Sequence, residues 1–252
     1  MLAIRSALFV LAQFVTVVPW ALGCLLLAPF PLSVRYRFTM GWPRMVIWFA
    51  RVLCGIRWQV RGLEHLPDGP AVLLSKHQST WETFFYPSYL PRELCYVFKR
   101  ELLWIPFFGW GIGLLRMIHI DRGQGRDAFE SVVRQGQRRL DEGAWIIMFP
   151  EGTRTPVGSQ GKYKSGGARL AVRTGAPVVP IAVDAGECWP KRRFVKTPGL
   201  VTVSIGPPIP TAGREPDRVN AEVERWIEAE MRRISPHAYR SPPSAALHEA
   251  TP

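Results

Sequence analysis

A chain of 252 residues with a formal net charge of +12 and a pI of about 10.1 is long enough for one substantial α/β core and needs an acidic partner. Its 10 Trp and 13 Phe, with an uncharged N-terminal run, fit an anionic membrane surface and no nucleic acid, whose binding modules interleave basic residues with polar ones. Four scattered cysteines, Cys24, Cys54, Cys95 and Cys188, with no C-x-x-C pair, argue against a zinc site and a disulfide scaffold and fit a reducing cytosolic face.

The run from Ser6 to Val34 carries no charge and exceeds the roughly 20 apolar residues that a bilayer span requires. Pro19 is expected to kink a helix there, and Pro29 with Pro31 to end it. Cys24 is followed by further apolar residues instead of a polar small-x-small site, which argues against a cleaved signal. Arg37, Arg44 and Arg51 then recur every seven residues among Trp42, Ile47, Trp48, Phe49, Val52 and Leu53. That pattern predicts an amphipathic helix at headgroup level, or else a core helix with a solvated arginine face. Arginine is dense from Arg35 onward and sparse before it, which places the rest of the chain on the cytoplasmic side of a membrane. Residues 1–55 thus read as a membrane-associated helical pair; spanning and lying in one leaflet both remain open.

From residue 56 to 234 short apolar runs alternate with helical stretches. Strands are predicted at Arg57–Val60, Ala71–Ser75, Leu94–Phe98, Met117–Ile120, Ala144–Phe149, Val178–Val183 and Val201–Ile205. Helices are predicted at Trp81–Tyr89, Asp127–Leu140, Ser165–Arg173 and Pro216–Ile234. The alternation predicts an α/β domain with a largely parallel sheet flanked by helices. Residues 235–252, rich in Pro, Ser and Ala, read as a disordered tail.

Two turns carry candidate chemistry. Ser75-Lys76-His77-Gln78-Ser79-Thr80-Trp81-Glu82 places His77 between a strand and a helix, at the sheet edge where α/β proteins bind ligands. Glu82, five residues on, could fix one imidazole nitrogen and leave the other as a base; a His and a Glu near a turn are also ordinary surface residues. Phe149-Pro150-Glu151-Gly152-Thr153-Arg154 follows the strongest strand, with a glycine for a tight turn, a hydroxyl at Thr153 and a guanidinium fork at Arg154 suited to phosphate. A strand-end turn with a solvated arginine is the plain alternative. Gly161-Lys162 lacks the other P-loop residues. Gly123-x-Gly125-x-x-Ala128 has the setting of a dinucleotide fingerprint, but earlier strands precede it and no other nucleotide feature follows. His119 alternates with Ile118 and Ile120 as a strand-face residue, and His65 lies in a turn; neither reads as catalytic. Trp104 and Trp110 flank a Gly-rich apolar patch that suits an acyl groove, a lipid contact or core packing.

In order, the His77-x4-acid block, Lys99-x-Glu101 with Ile105-Pro106-Phe107-x-Gly109, Ile120-Asp121-Arg122, Phe149–Arg154 and Val178-Val179-Pro180-Ile181 resemble the four blocks of the glycerolipid acyltransferases, the 1-acylglycerol-3-phosphate acyltransferases. The resemblance implies an α/β domain behind membrane-embedded helices, and a reaction with no cofactor, no metal and no covalent intermediate. Acyl-CoA or acyl carrier protein would donate the acyl group to a lysophospholipid. It implies that His77 is the general base, that Lys99, Arg122 and Arg154 lie near the phosphate, and that Glu151, Gly152 and Thr153 shape that pocket. The absence of a G-x-S-x-G elbow or an activated cysteine agrees with direct transfer. Where the family has Asp, this chain has Glu82, a methylene longer. That leaves a different lysophospholipid or a lyso-aminolipid as an alternative acceptor. Other classes are a non-catalytic lipid- or nucleic-acid-binding protein and an NAD(P) enzyme.

Overall fold

The computed structural model describes residues 1–105, 108–121, 123 and 126–239. The N-terminal segment forms three helices, α1 (Leu2–Leu26), α2 (Leu32–Thr39) and α3 (Gly41–Cys54), where the sequence predicts a pair. α1 runs through Pro19, and the chain turns at residues 27–31 before α2. Only Met40 separates α2 from α3. Packing against α1 accounts for the break: the Trp20 indole donates to Phe38 O at 3.0 Å, and its ring lies so close to Gly41 that a Cβ there would be 2.4 Å away.

The three helices make an antiparallel hairpin. Cys24 meets Thr39 at 3.4 Å, Trp42 donates to Thr16 at 3.2 Å, and Arg5 Nε donates to Leu53 O at 2.5 Å. Both ends of the hairpin therefore sit beside the α/β domain. α3 buries Val46, Ile47, Ala50 and Cys54 in the same core as Phe9, Leu73 and Trp145. It is a core helix, and its outer face exposes Arg44, Trp48, Arg51 and Val52. Residue 55 marks a change of composition within one continuous core. Gly55, at φ 73°, takes the left-handed conformation that stops α3 and turns the chain into the sheet.

The sheet has seven strands in the order β1-β7-β6-β2-β5-β3-β4. They are β1 (Ile56–Arg61), β2 (Val72–Ser75), β3 (Leu94–Lys99), β4 (Ile118–Ile120), β5 (Trp145–Met148), β6 (Val178–Val183) and β7 (Gly199–Ile205). All neighbours pair in parallel except β6 and β7. The sequence places every one of these strands, with shifts of one or two residues at the ends. The helices α4 (Trp81–Tyr89), α5 (Phe108–Gly113), α6 (Arg126–Asp141), α7 (Gly166–Thr174) and α8 (Pro216–Ile234) complete the domain. The short α5 has no counterpart in the sequence prediction.

The central strands are buried on both faces, as continuous apolar runs in parallel sheets are. Leu73 joins Trp81, Phe85 and the α3 residues on one face, while Val72 and Leu74 join Val132, Leu170, Val223 and Ile227 on the other. Each fully buried leucine contributes about 1.5–3 kcal/mol. Because β2 to β6 all point the same way, the residues following Ser75, Lys99, Ile120 and Met148 emerge along one edge. The start of the expected tail is packed instead: Ser235 and His237 both bind Glu187, His237 at 3.0 Å. The remainder of that tail, from 240 onward, lies outside the described residues.

Candidate active site

His77 leaves the end of β2 on an irregular turn that residues 151–155 hold from both sides. Its N–H donates to Glu151 Oε2 at 3.0 Å, and its C=O accepts from Thr155 N at 2.8 Å and Thr155 Oγ1 at 3.2 Å. The imidazole stacks on Phe149 with ring centroids 3.9 Å apart. Burial, then the positive charges of Arg154 and Lys191, push its pKa down to about 3. At neutral pH the ring is uncharged, the form a general base requires, while the same surroundings oppose the protonated form.

Glu82 is wholly buried in the first turn of α4. One carboxylate oxygen accepts from Gln78 N at 2.9 Å, and Ser79 N donates to both oxygens at 2.9 and 3.0 Å. Ser79 Oγ in turn accepts from Trp81 N at 3.0 Å. These bonds tie the start of α4 to the turn that carries His77. The other approach of Glu82 is to the imidazole: Oε2 lies 3.9 Å from His77 Nδ1, close enough to interact electrostatically but too long for a hydrogen bond. Nδ1 is buried without a hydrogen-bond partner among the described residues. Burial raises the Glu82 pKa to about 8 against these N–H donors.

Glu151 is committed to the scaffold. Its Oε1 accepts from Lys76 Nζ at 2.7 Å and Gly161 N at 3.3 Å, while Oε2 holds His77. Lys76, also fully buried, reaches Glu228 at 2.8 Å and Ser159 O at 3.0 Å, and Tyr163 OH donates to the same Glu228 oxygen at 2.9 Å. Gly152 adopts φ 68°, and a Cβ there would lie 2.8 Å from Lys164 Nζ, so the turn needs glycine. The Arg154 guanidinium donates to Thr80 Oγ1 at 2.5 Å, which aims it across the His77 turn.

The structure therefore gathers His77, Glu82, Glu151, Gly152, Thr153 and Arg154 into one cluster. Lys99 stands exposed at the end of β3, on the same edge but two strands from β2, and makes no hydrogen bond or ion pair among the described residues. Arg122, like Pro106, Phe107 and Gly125, lies outside the described residues. His65 bonds Ile205 O at 2.8 Å and His119 is held by Gln135 through its backbone, so both are structural. Trp104 and Trp110 are exposed rather than core residues. A cavity of about 500 Å³, lined by Arg61, His65, Trp226 and Arg233 among others, opens at the opposite sheet edge.

Two cations escaped the sequence reading. Lys191, from the loop before β7, donates to Arg154 O at 2.7 Å and Thr153 Oγ1 at 3.2 Å. Lys76 was visible beside His77, but nothing local signals that its ammonium turns inward.

A family model described as acyltransferase matches residues 57–184. A 1-acyl-sn-glycerol-3-phosphate acyltransferase of Pseudomonas aeruginosa is 47% identical over 239 residues, covering 93% of each chain. A human 1-acyl-sn-glycerol-3-phosphate acyltransferase alpha is 37% identical over 72% of this chain; the aligned part is 65% of the human protein. A solved structure, the 1-acyl-sn-glycerophosphate (LPA) acyltransferase of Thermotoga maritima, superposes with a TM-score of 0.75 at 23% identity, covering 96% of this chain and all of that one. At that identity the superposition speaks for the fold.

Proposed function

The chain belongs to the acyltransferase family, and from that premise we propose that it acylates the sn-2 hydroxyl of 1-acylglycerol-3-phosphate to give phosphatidate, with His77 as general base and acyl-CoA or acyl carrier protein as donor. The observation that carries this reading is the placement of the His77 imidazole, its side chain 14% exposed, beside the Arg154 turn. In the proposed step His77 takes the proton of the acceptor hydroxyl as its oxygen attacks the thioester carbonyl. The tetrahedral adduct collapses to the ester, and the departing thiolate takes the proton back from the imidazolium. Glu82, 3.9 Å from Nδ1, stabilises the imidazolium as a negative neighbour once its carboxyl is ionised. Arg154 and Lys191 bind the acceptor's phosphate, joined by Lys99 from the sheet edge and by Arg122.

The same reading puts the chain on the cytoplasmic face of the membrane. α1 is long and apolar enough to cross a bilayer, yet its partner helices bring the chain back beside Arg5, so we place the hairpin in one leaflet. Ile4, Leu8, Leu11, Val15, Val18 and Leu22 recur at helical spacing along α1 and are all exposed. Purified protein with labelled acyl-CoA and a panel of lysolipids tests the activity. Free thiol should appear only with lysophosphatidate, and His77→Ala should lower turnover about 100- to 10,000-fold at an unchanged melting temperature. Turnover that prefers a phosphate-free lysolipid would displace the acceptor, and more than about a tenth of normal activity in His77→Ala would displace the base.

A further inference from the structure

The loop from Pro190 to Pro198 is not absorbed by the reaction. Lys191, Arg192, Arg193 and Lys196 stand within six residues, and no acid occurs between Glu187 and Glu215. Arg192, Arg193, Phe194 and Val195 are all exposed, Phe194 by 52%. Cation beside aromatic, both turned outward, is the composition of a membrane-interface contact. The loop is also firmly shaped. The Lys196 ammonium closes it onto the carbonyls of Arg193 and Phe194, at 3.3 and 2.8 Å, and Arg192 takes a left-handed φ of 61°.

Two attachments give the loop its meaning. On one side it is fastened to the first turns of α1: Lys196 N donates to Ser6 Oγ at 2.9 Å, and Phe9 packs edge-on against Trp189 at 5.0 Å. On the other side Lys191 holds the Arg154 carbonyl and the Thr153 hydroxyl. We propose that the Arg192–Val195 tip is a second membrane contact, one that binds anionic phospholipid headgroups beside α1 and joins that surface to the catalytic turn through Lys191. The apolar stripe of α1 supplies attachment without regard to lipid charge, whereas this tip selects anionic surfaces. Its continuity with α1 favours a lipid surface over an acidic carrier protein as its occupant. The argument rests on α1 facing the membrane, which the experiment checks separately.

The test is co-sedimentation of the full chain with vesicles of phosphatidylcholine alone, or of phosphatidylcholine with phosphatidylglycerol. Arg192→Gln with Arg193→Gln should weaken binding to the anionic vesicles about fivefold per arginine, roughly 25-fold together. Binding to neutral vesicles, the melting temperature and thiol release in neutral detergent should stay as in the unaltered chain. Raising the salt should erase the difference between the two proteins on anionic vesicles. Equal binding of both proteins to anionic vesicles at low salt overturns the proposal. So does an unchanged vesicle affinity accompanied by a lost response to acyl carrier protein, which would assign the tip to that acidic protein. If the unaltered chain pellets with neither vesicle, the membrane reading of α1 fails as well.

Discussion

Replacing Lys76 by methionine keeps the length and apolar stem of the side chain and removes only its ammonium. That group lies 2.7 Å from Glu151 and 2.8 Å from Glu228, with the Lys76 and Glu151 side chains wholly buried and that of Glu228 4% exposed. Its loss leaves two carboxylates whose nearest oxygens lie no more than about 5.5 Å apart. At an effective dielectric near 20 their repulsion is roughly 3 kcal/mol. Breaking a buried pair by removing one partner costs about 3–5 kcal/mol, so the two routes agree. For a chain of this size each kcal/mol moves the melting point by about 2–4 °C, which predicts a fall of roughly 6–20 °C. Circular dichroism melting in neutral detergent reads this directly. Adding Glu228→Gln to Lys76→Met removes one of the opposed charges and should recover at least half of the loss. Turnover measured well below the lowered midpoint should also drop, because Glu151 holds the His77 amide. A Lys76→Met midpoint within about 2 °C of normal would refute the reasoning, and would mean that the charges find water or one another without cost.

Arg154→Ala should lower kcat/KM for lysophosphatidate about tenfold or more, as the loss of a charge-assisted contact implies, with a smaller effect on an acceptor lacking phosphate; an equal loss for both would make Arg154 structural. With Glu82 raised to about 8, its carboxyl is protonated below that pH and ionised above it, so the rate should climb as pH rises through about 8. Glu82→Gln should be slow and flat over the same range, and near-normal turnover would end the role of Glu82 beside His77. Thermal stability should move the opposite way: a carboxyl whose pKa folding raises contributes fully below the ordinary carboxylate range and loses that contribution as pH climbs through about 8. Melting points of the unaltered chain should therefore decline from pH 6 to 9 more steeply than those of Glu82→Gln.

The strands and the longer domain helices could be read because their signals are local. Ala144–Phe149 is a bare apolar run, and Gly143 and Gly175, both at positive φ, stand just past the helices they stop. The division between α2 and α3 could not, because it depends on where Trp20 packs, a residue some twenty positions earlier. In the site, His77 and Arg154 announced themselves by residue type at strand ends. Lys191 did not: it arrives from a loop after β6, and its meaning lies in two hydrogen bonds to a distant turn. The Lys76 network was hidden for the same reason, since Glu228 joins from α8 at the far end of the chain. Glu82 reads in the sequence as a charge beside His77, whereas in the structure its oxygens accept from the N–H groups of Gln78 and Ser79, bonds that residue type alone does not reveal.

The peptide of His77 is held at its N–H by Glu151 and at its C=O by Thr155, while the Arg154 between them is pinned to Thr80. The interval between imidazole and guanidinium is therefore set by these hydrogen bonds. Such an interval works as a ruler. In the proposed reaction it measures how many bonds separate an acceptor's hydroxyl from its phosphate, so that a lipid with the right charge on a longer or shorter backbone is rejected on length alone.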